Sequence, residues 1–372
     1  MKAIRFAVLF FPLLGAIGCG PGVGSPNIVV STSTTPTLFI YVVGQNSQNI
    51  FGFKQDSTNT ITALTPATTG TTLRPAAVLV HPSKNFLYVA NFGSNNVTKY
   101  SRDATTGLLT PLGSLPPTPV GTGPIALVTD SKGHFLYVLN QGSGSISAFS
   151  IDANRGLLTE LAGSPFATLA NPAGFAASQS SGFLYVANAS LHNVSGFAIG
   201  ADGTLSAVAG SPFDTGAGTN ISWVAVDPKG RFVYAADFAN NNVVGFSIQA
   251  GGTLAALSGS PFPGGGIQPT GLSIDSTGAF LYIANQGSNS ISAMAIGSSG
   301  SLTPISGTPF PSGGSLTNYV TVDSTNKFVY DTNAGSDNVG ASSIDPNTGA
   351  LTQLSGSPFS VGTSPVWIAT SN

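Results

Sequence analysis

The sequence predicts an all-β fold, a seven-bladed β-propeller with four antiparallel strands per blade. Three observations carry this. First, aromatic strand centres recur at Tyr41, Tyr88, Tyr137, Tyr185, Tyr234, Tyr282 and Tyr330, at spacings of 47, 49, 48, 49, 48 and 48. A fixed period of this length marks a repeat architecture. Second, each repeat contains four strand-like runs separated by turn chemistry, the pattern of a propeller blade. Third, the composition suits many turns and few helices: 47 Gly and 25 Pro beside 7% charged residues, with a single glutamate, Glu160. Average soluble domains carry roughly 25% charge, and long helices draw on Glu, Lys and Arg. With 41% hydrophobic residues the chain is not disordered. A formal charge of −2 without a Lys/Arg cluster excludes nucleic acid as a partner.

The first element is an address. Met1-Lys2-Ala3-Ile4-Arg5 is a short basic start, and Phe6 to Ile17 is an apolar run of 12 residues. A membrane-spanning helix needs about 20, so residues 1–18 read as a signal peptide. Ala16-Ile17-Gly18-Cys19 resembles the lipobox of bacterial lipoproteins, which implies lipidation at Cys19. The alternative is an ordinary secretory signal cleaved near a cysteine. Cys19 is the only cysteine, so the exported chain is expected to hold no disulfide, zinc thiolate or cysteine nucleophile. Residues 19–35, rich in Gly, Pro, Ser and Thr, read as a flexible tether. The expected location is the bacterial cell envelope, lipid-anchored and periplasmic or surface-facing, with the membrane contacted through the lipid only.

Residues 36–372 are the propeller. The unit around Tyr282 shows its plan. Thr270 to Asp275 is an inner strand, and Ala279 to Asn285 the second. Ser290 to Ile296 alternates as a half-buried third strand should. Leu302-Thr303-Pro304-Ile305 is outermost, where proline is tolerated. The first unit starts at its second strand, Leu38-Phe39-Ile40-Tyr41-Val42. The chain ends in a surplus inner strand, Ser364 to Thr370. Pairing the two closes the ring. A Ser/Thr-Pro-Phe signature recurs at Phe166, Phe213, Phe262, Phe310 and Phe359. There proline is expected to stop the outer strand and the ring to wedge between blades. The Asp-x-x-Gly turns at Asp130, Asp227 and Asp275 read as hairpin turns, lacking the further carboxylates that calcium needs. No metal or cofactor is expected.

The second strands read Tyr88-Val89-Ala90-Asn91, Tyr137-Val138-Leu139-Asn140, Tyr185-Val186-Ala187-Asn188 and Tyr282-Ile283-Ala284-Asn285. With the period, they resemble the YVTN repeats of the seven-bladed lactonase-like propellers, a group that includes 6-phosphogluconolactonases. The resemblance implies a channel-mouth site built from Arg-His pairs where the chain enters the inner strands. Here those positions read Arg74-Pro75-Ala76-Ala77, Gly123-Pro124-Ile125-Ala126, Asn171-Pro172-Ala173-Gly174, Ile221-Ser222-Trp223-Val224, Gln268-Pro269-Thr270-Gly271 and Thr317-Asn318-Tyr319-Val320. They contain no histidine and one arginine, thin provision for a phosphorylated substrate.

The face carrying the loops between second and third strands is the expected ligand face. Its candidate residues are Arg74 and the second-strand ends Asn91, Asn140, Asn188, Asp237, Asn285 and Asn333. Two readings apply to these ends: Asx-type turns bonding their own backbone, or an uncharged rim for a glycan, small molecule or protein. His192 and Asp237 are the weak catalytic candidates, since a histidine beside a carboxylate can act as a general base. His81 and His134 belong to the opposite face. The leading expectation is an envelope ligand-binding or protein-interaction module. The alternative is a lactone or ester hydrolase with an altered site.

Overall fold

The computed structural model describes residues 38–112, 116–216 and 218–371. The expected signal peptide and the whole of the expected tether, Cys19 included, lie outside them. The described residues form seven antiparallel sheets arranged as a propeller, with no α-helix. Blade 1 is built from Leu38–Gly44, Asn49–Gln55 and Ile61–Gly70, and its inner strand is the C-terminal Pro365–Ser371. The register runs from Phe39 opposite Ser371 to Gly44 opposite Pro365, so the chain's two ends close the ring as the missing and surplus strands require. Blades 2 to 7 start from the inner strands Pro75–Val80, Pro124–Thr129, Pro172–Ala177, Ile221–Val226, Pro269–Ile274 and Thr317–Val322. Each second strand is buried along almost its whole length, as in Phe232–Asp237. Sheets packed on both faces have no solvent side, so the alternating pattern gives way to a continuous apolar run.

The Ser/Thr-Pro-Phe signature does more than stop a strand. In blades 3 to 7 the outer strand breaks there and then resumes, Phe166–Ala167 pairing with the same third strand that Leu158–Glu160 pairs with. Across the gap, the hydroxyl before the proline accepts the third-strand N–H that the ladder leaves over. The donors are Ala148 to Ser164 (3.1 Å), Gly196 to Ser211 (2.9 Å), Gly245 to Ser260 (2.9 Å), Ala293 to Thr308 (2.8 Å) and Ala341 to Ser357 (2.8 Å). A backbone donor must find a partner, which accounts for Ser or Thr at this position. The phenyl rings pack at blade boundaries: Phe359 meets Phe53 of blade 1 edge-on at 4.8 Å.

The repeated tyrosines latch each blade to the next. Each is fully buried, and its hydroxyl donates to a loop carbonyl of the following blade: Tyr41 to Gly107 (2.6 Å), Tyr88 to Gly156 (3.0 Å), Tyr137 to Gly203 (2.9 Å), Tyr185 to Gly252 (2.8 Å), Tyr234 to Gly300 (2.8 Å) and Tyr282 to Gly349 (3.0 Å). The last, Tyr330, donates instead to the Gln55 side chain across the closing interface. Burial drives the Tyr41 phenol up to about 12 and the other six higher still, so all remain donors at any physiological pH. The acceptor must be glycine at such a place: Gly203 has φ of +83°, and a Cβ there would run into the Phe135 ring. Tyr137→Phe is expected to destabilise the domain by about 1–3 kcal/mol, because the Gly203 carbonyl is left buried without its donor. Chemical denaturation at neutral pH measures it, and an unchanged midpoint would remove the latch from the account.

Candidate functional site

The second-strand ends reach the loop face but turn inward. Asn91, Asn140, Asn188, Asp237, Asn285 and Asn333 are all 0–1% exposed. Their side chains tie loops and neighbouring strands together. Asn188 Nδ2 donates to Asn193 Oδ1 (2.7 Å) and Ser195 Oγ (2.9 Å), and Asn285 Nδ2 donates to Ser292 Oγ (2.9 Å). Asn91 donates to Asn96 Oδ1 (2.9 Å) and accepts from Thr71 Oγ1 (2.7 Å) of the crossing loop. The amides therefore shape the face from beneath, and a ligand on it meets the loops above them. Arg74 is exposed at φ +50°, its guanidinium 4.9 Å over the Phe92 ring.

His192 and Asp237 hold opposite sides of one peptide. His192 Nδ1 bonds the Thr219 carbonyl. Asp237 Oδ1 accepts the N–H groups of Asn220 (3.0 Å) and Ala239 (3.2 Å), and its Oδ2 accepts from Asn240 (2.8 Å). No hydrogen bond or ion pair joins the two side chains. His81 is buried on the opposite face with Nε2 2.7 Å from the Gly133 carbonyl, and His134 lies exposed there too. Among the described residues, no three His, Cys, Asp or Glu side chains gather as a metal site.

Most aspartates of the described residues lie at the end of the ring opposite the loop face, which itself carries Asp214 and Asp337 beside Arg74 and Asp237. The turns opposite the loop face carry Asp103, Asp152, Asp202 and Asp345, whose carboxyls turn hydrogen bonds hold below the ordinary range. They also carry Asp130, Asp227, Asp275 and Asp323, which accept backbone N–H groups of the first hairpin. The loop face instead holds the large apolar side chains that stand exposed among the described residues: Leu73 (53%), Leu191 (41%), Ile267 (52%) and Leu316 (50%). Leu316 has φ of +53°, a conformation unusual for a bulky residue.

The inner strands line the axis, and the third position of each decides its width. Four blades place Ala77, Ala126, Gly174 and Gly271 there, and three place Trp223, Tyr319 and Trp367. The large three meet across the axis. Tyr319 stacks on Trp367 (centroids 4.3 Å, 22°), and Trp223 meets both edge-on at 5.8 and 5.1 Å. A Cβ on Gly174 would strike the Trp223 ring, so the small residues make room for the large. This aromatic layer divides the channel. Toward the loop face, the second inner-strand positions are Ala76, Ile125, Ala173, Ser222, Thr270, Asn318 and Val366, none titratable. Below the layer a cavity of about 380 Å³ reaches the turns at Gln179. The sequence displayed the small and large residues, but that they face each other required the ring.

Asp331 is the ionisable group that sequence reading overlooked. It occupies a second-strand position where Val42, Val89, Val138 and Val186 stand in other blades, and a charged residue breaking that pattern was the available signal. It is 1% exposed, and burial pushes its carboxyl up to about 8. Asn333 Nδ2 donates to its Oδ2 at 2.8 Å, and Thr317 and Ser312 extend the network.

The family model "Lactonase, 7-bladed beta-propeller" matches residues 20–165, 113–223, 175–317 and 263–370. The chain belongs to that family. Among solved structures, this lactonase-family propeller is similar to a candidate 6-phosphogluconolactonase from Bacteroides uniformis, at 18% identity and a TM-score of 0.77. That match covers 90% of this chain and 99% of the other. It is similar to the periplasmic gluconolactonase PpgL of Pseudomonas aeruginosa at 19% identity and a TM-score of 0.74, with the same coverage. A functionally unknown protein from Desulfotomaculum acetoxidans matches at 15% identity and a TM-score of 0.71, covering 89% of this chain and 98% of the other. At these identities the likeness is one of fold. No curated protein matches the sequence.

Proposed function

We propose that this lactonase-family propeller is a non-catalytic recognition module, engaging a ligand or protein partner with its loop face. The observation that carries the reading is the channel mouth: its inner-strand positions from Ala76 round to Val366 present no titratable side chain. Of the charged candidates on this face, Arg74 lies over the Phe92 ring and Asp237 accepts loop N–H groups, so both are occupied locally. Lactone opening needs a group to activate water and donors aimed at the developing oxyanion. The exposed Leu73, Leu191, Ile267 and Leu316 instead suit an apolar contact. The envelope location belongs to the same proposal.

Family membership supports a second reading, a lactone hydrolase with an altered site, and the PpgL likeness suggests an unphosphorylated lactone. The test is the purified domain against glucono-δ-lactone and its phosphorylated form. The expected result is no acceleration over buffer. Hydrolysis abolished by His192→Ala or Asp237→Asn would establish the second reading and overturn the first.

A further inference from the structure

We infer that the cavity beneath the aromatic layer is a binding site for a small uncharged aromatic compound bearing a hydroxyl or carbonyl group. It lies at the other end of the channel from the loop face and does not depend on what that face does. At about 380 Å³ it falls within the range of ligand pockets. Its roof is Trp223, Tyr319 and Trp367, an aromatic surface on which a planar ring can stack or meet edge-on.

The side chains at the one position directly below the roof are two-sided, while Thr129 and Gln179 of blades 3 and 4 add polar groups lower down. Blades 2 to 5 contribute Leu79, Val128, Ala176 and Ala225, which are aliphatic. Blades 6 and 7 contribute Ser273 and Thr321, with Thr370 of blade 1 beside them. Ser273 Oγ already accepts the Val322 N–H (3.0 Å), which leaves its own hydroxyl proton to donate inward. A ligand with polar groups on one edge and an apolar ring body matches this division. A sugar, without a planar ring, gains less from the stacked aromatic roof than an aromatic body does. An ion fares worse. No lining residue is charged, and a buried ion without a partner is costly. The cavity exists because Ala176, Ala225 and Ala369 are small where a leucine would fill the axis.

The site carries its own reporter, since the chain's two tryptophans are Trp223 and Trp367. Titrating the folded domain with benzyl alcohol should give a saturable change in tryptophan emission and protect both indoles from acrylamide. Benzoate should bind at least about tenfold more weakly, the cost of an unpaired charge. Ala176→Leu and Ala369→Leu, each checked for an unchanged melting transition, should abolish the response. The inference is overturned by the absence of saturation in the unmodified domain, by benzoate equalling benzyl alcohol, by glucose competing as well as the alcohol, or by binding that survives in the filled variants. The acrylamide measurement decides the matter in the unmodified chain even where a filled variant fails to fold.

Discussion

Deleting residues 365–372 is expected to abolish cooperative folding of the entire domain. The deletion takes away the inner strand of blade 1, in which Trp367 and Ile368 are 9% and 2% exposed. Each such side chain contributes roughly 2–3 kcal/mol through burial alone. The second loss is larger. Leu38–Gly44, buried at all seven positions, becomes an unpaired edge, and blade 7 loses Pro365–Ser371, the strand of blade 1 that packs against it. The aromatic layer loses Trp367, the ring stacked on Tyr319. Together these exceed the ~5–15 kcal/mol by which a domain is stable. A permutant separates ring closure from simple loss of sequence. Because Phe39 pairs with Ser371, a short turn can join Ser371 to Leu38, with new termini in the crossing loop before Pro365. The truncated chain should show no cooperative transition by circular dichroism, while the permutant recovers one near that of the parent. A truncated chain that melts like the parent would mean that the ring does not depend on its closing strand.

What the sequence disclosed follows from which interactions repeat. The fold was legible because every blade restates the same tyrosine and the same turns, and five of the seven restate the same proline break, so that weak signals align. Closure was legible because Leu38 lacks a preceding inner strand and Pro365 to Thr370 lacks a following one. The latches were hidden by distance. Tyr88 and the Gly156 carbonyl stand 68 residues apart, and only the ring brings them together. The glycine-leucine pairs at Gly107-Leu108, Gly156-Leu157 and Gly203-Thr204-Leu205 recur with the same period and were the available trace. The site was less legible because it depends on side-chain direction. Asn140 and Asn285 end their strands at the loop face, as their positions require, but both amides turn beneath the crossing loops at Gly121 and Gly266. Position on a face does not fix which way a terminal side chain points. The exposed surface is set instead by Leu73, Ile267 and Leu316, which break the repeat at the residues before the inner strands.

Replacing Asp331 is expected to remove most of the domain's pH-dependent stability between about pH 4 and 8. Burial raises its carboxyl in the folded chain to about 8 from an ordinary value of 3.8, and the Asn333 donor opposes that rise without reversing it. The unfolded chain ionises Asp331 above pH 4, whereas the folded chain keeps it protonated until about pH 8. Over that window the folded state binds the extra proton, so stability is full below pH 4, falls as pH rises, and levels off above 8. At about 1.4 kcal/mol for each pH unit the loss reaches the order of 4–6 kcal/mol. The four turn aspartates act in the opposite sense and below this window, because their carboxyls are held low rather than high. Two variants separate charge from shape. Asp331→Asn preserves size and removes the titration, and Asp331→Val installs the residue that blades 1 to 4 use at this position. Both should melt at nearly constant temperature across pH 4 to 8 and exceed the parent at pH 8. The slope decides the matter, since it is independent of any packing cost that shifts a variant uniformly. A parent whose melting temperature is flat over the window would mean that Asp331 ionises normally, with water or a cation reaching it beneath the Gly314 loop.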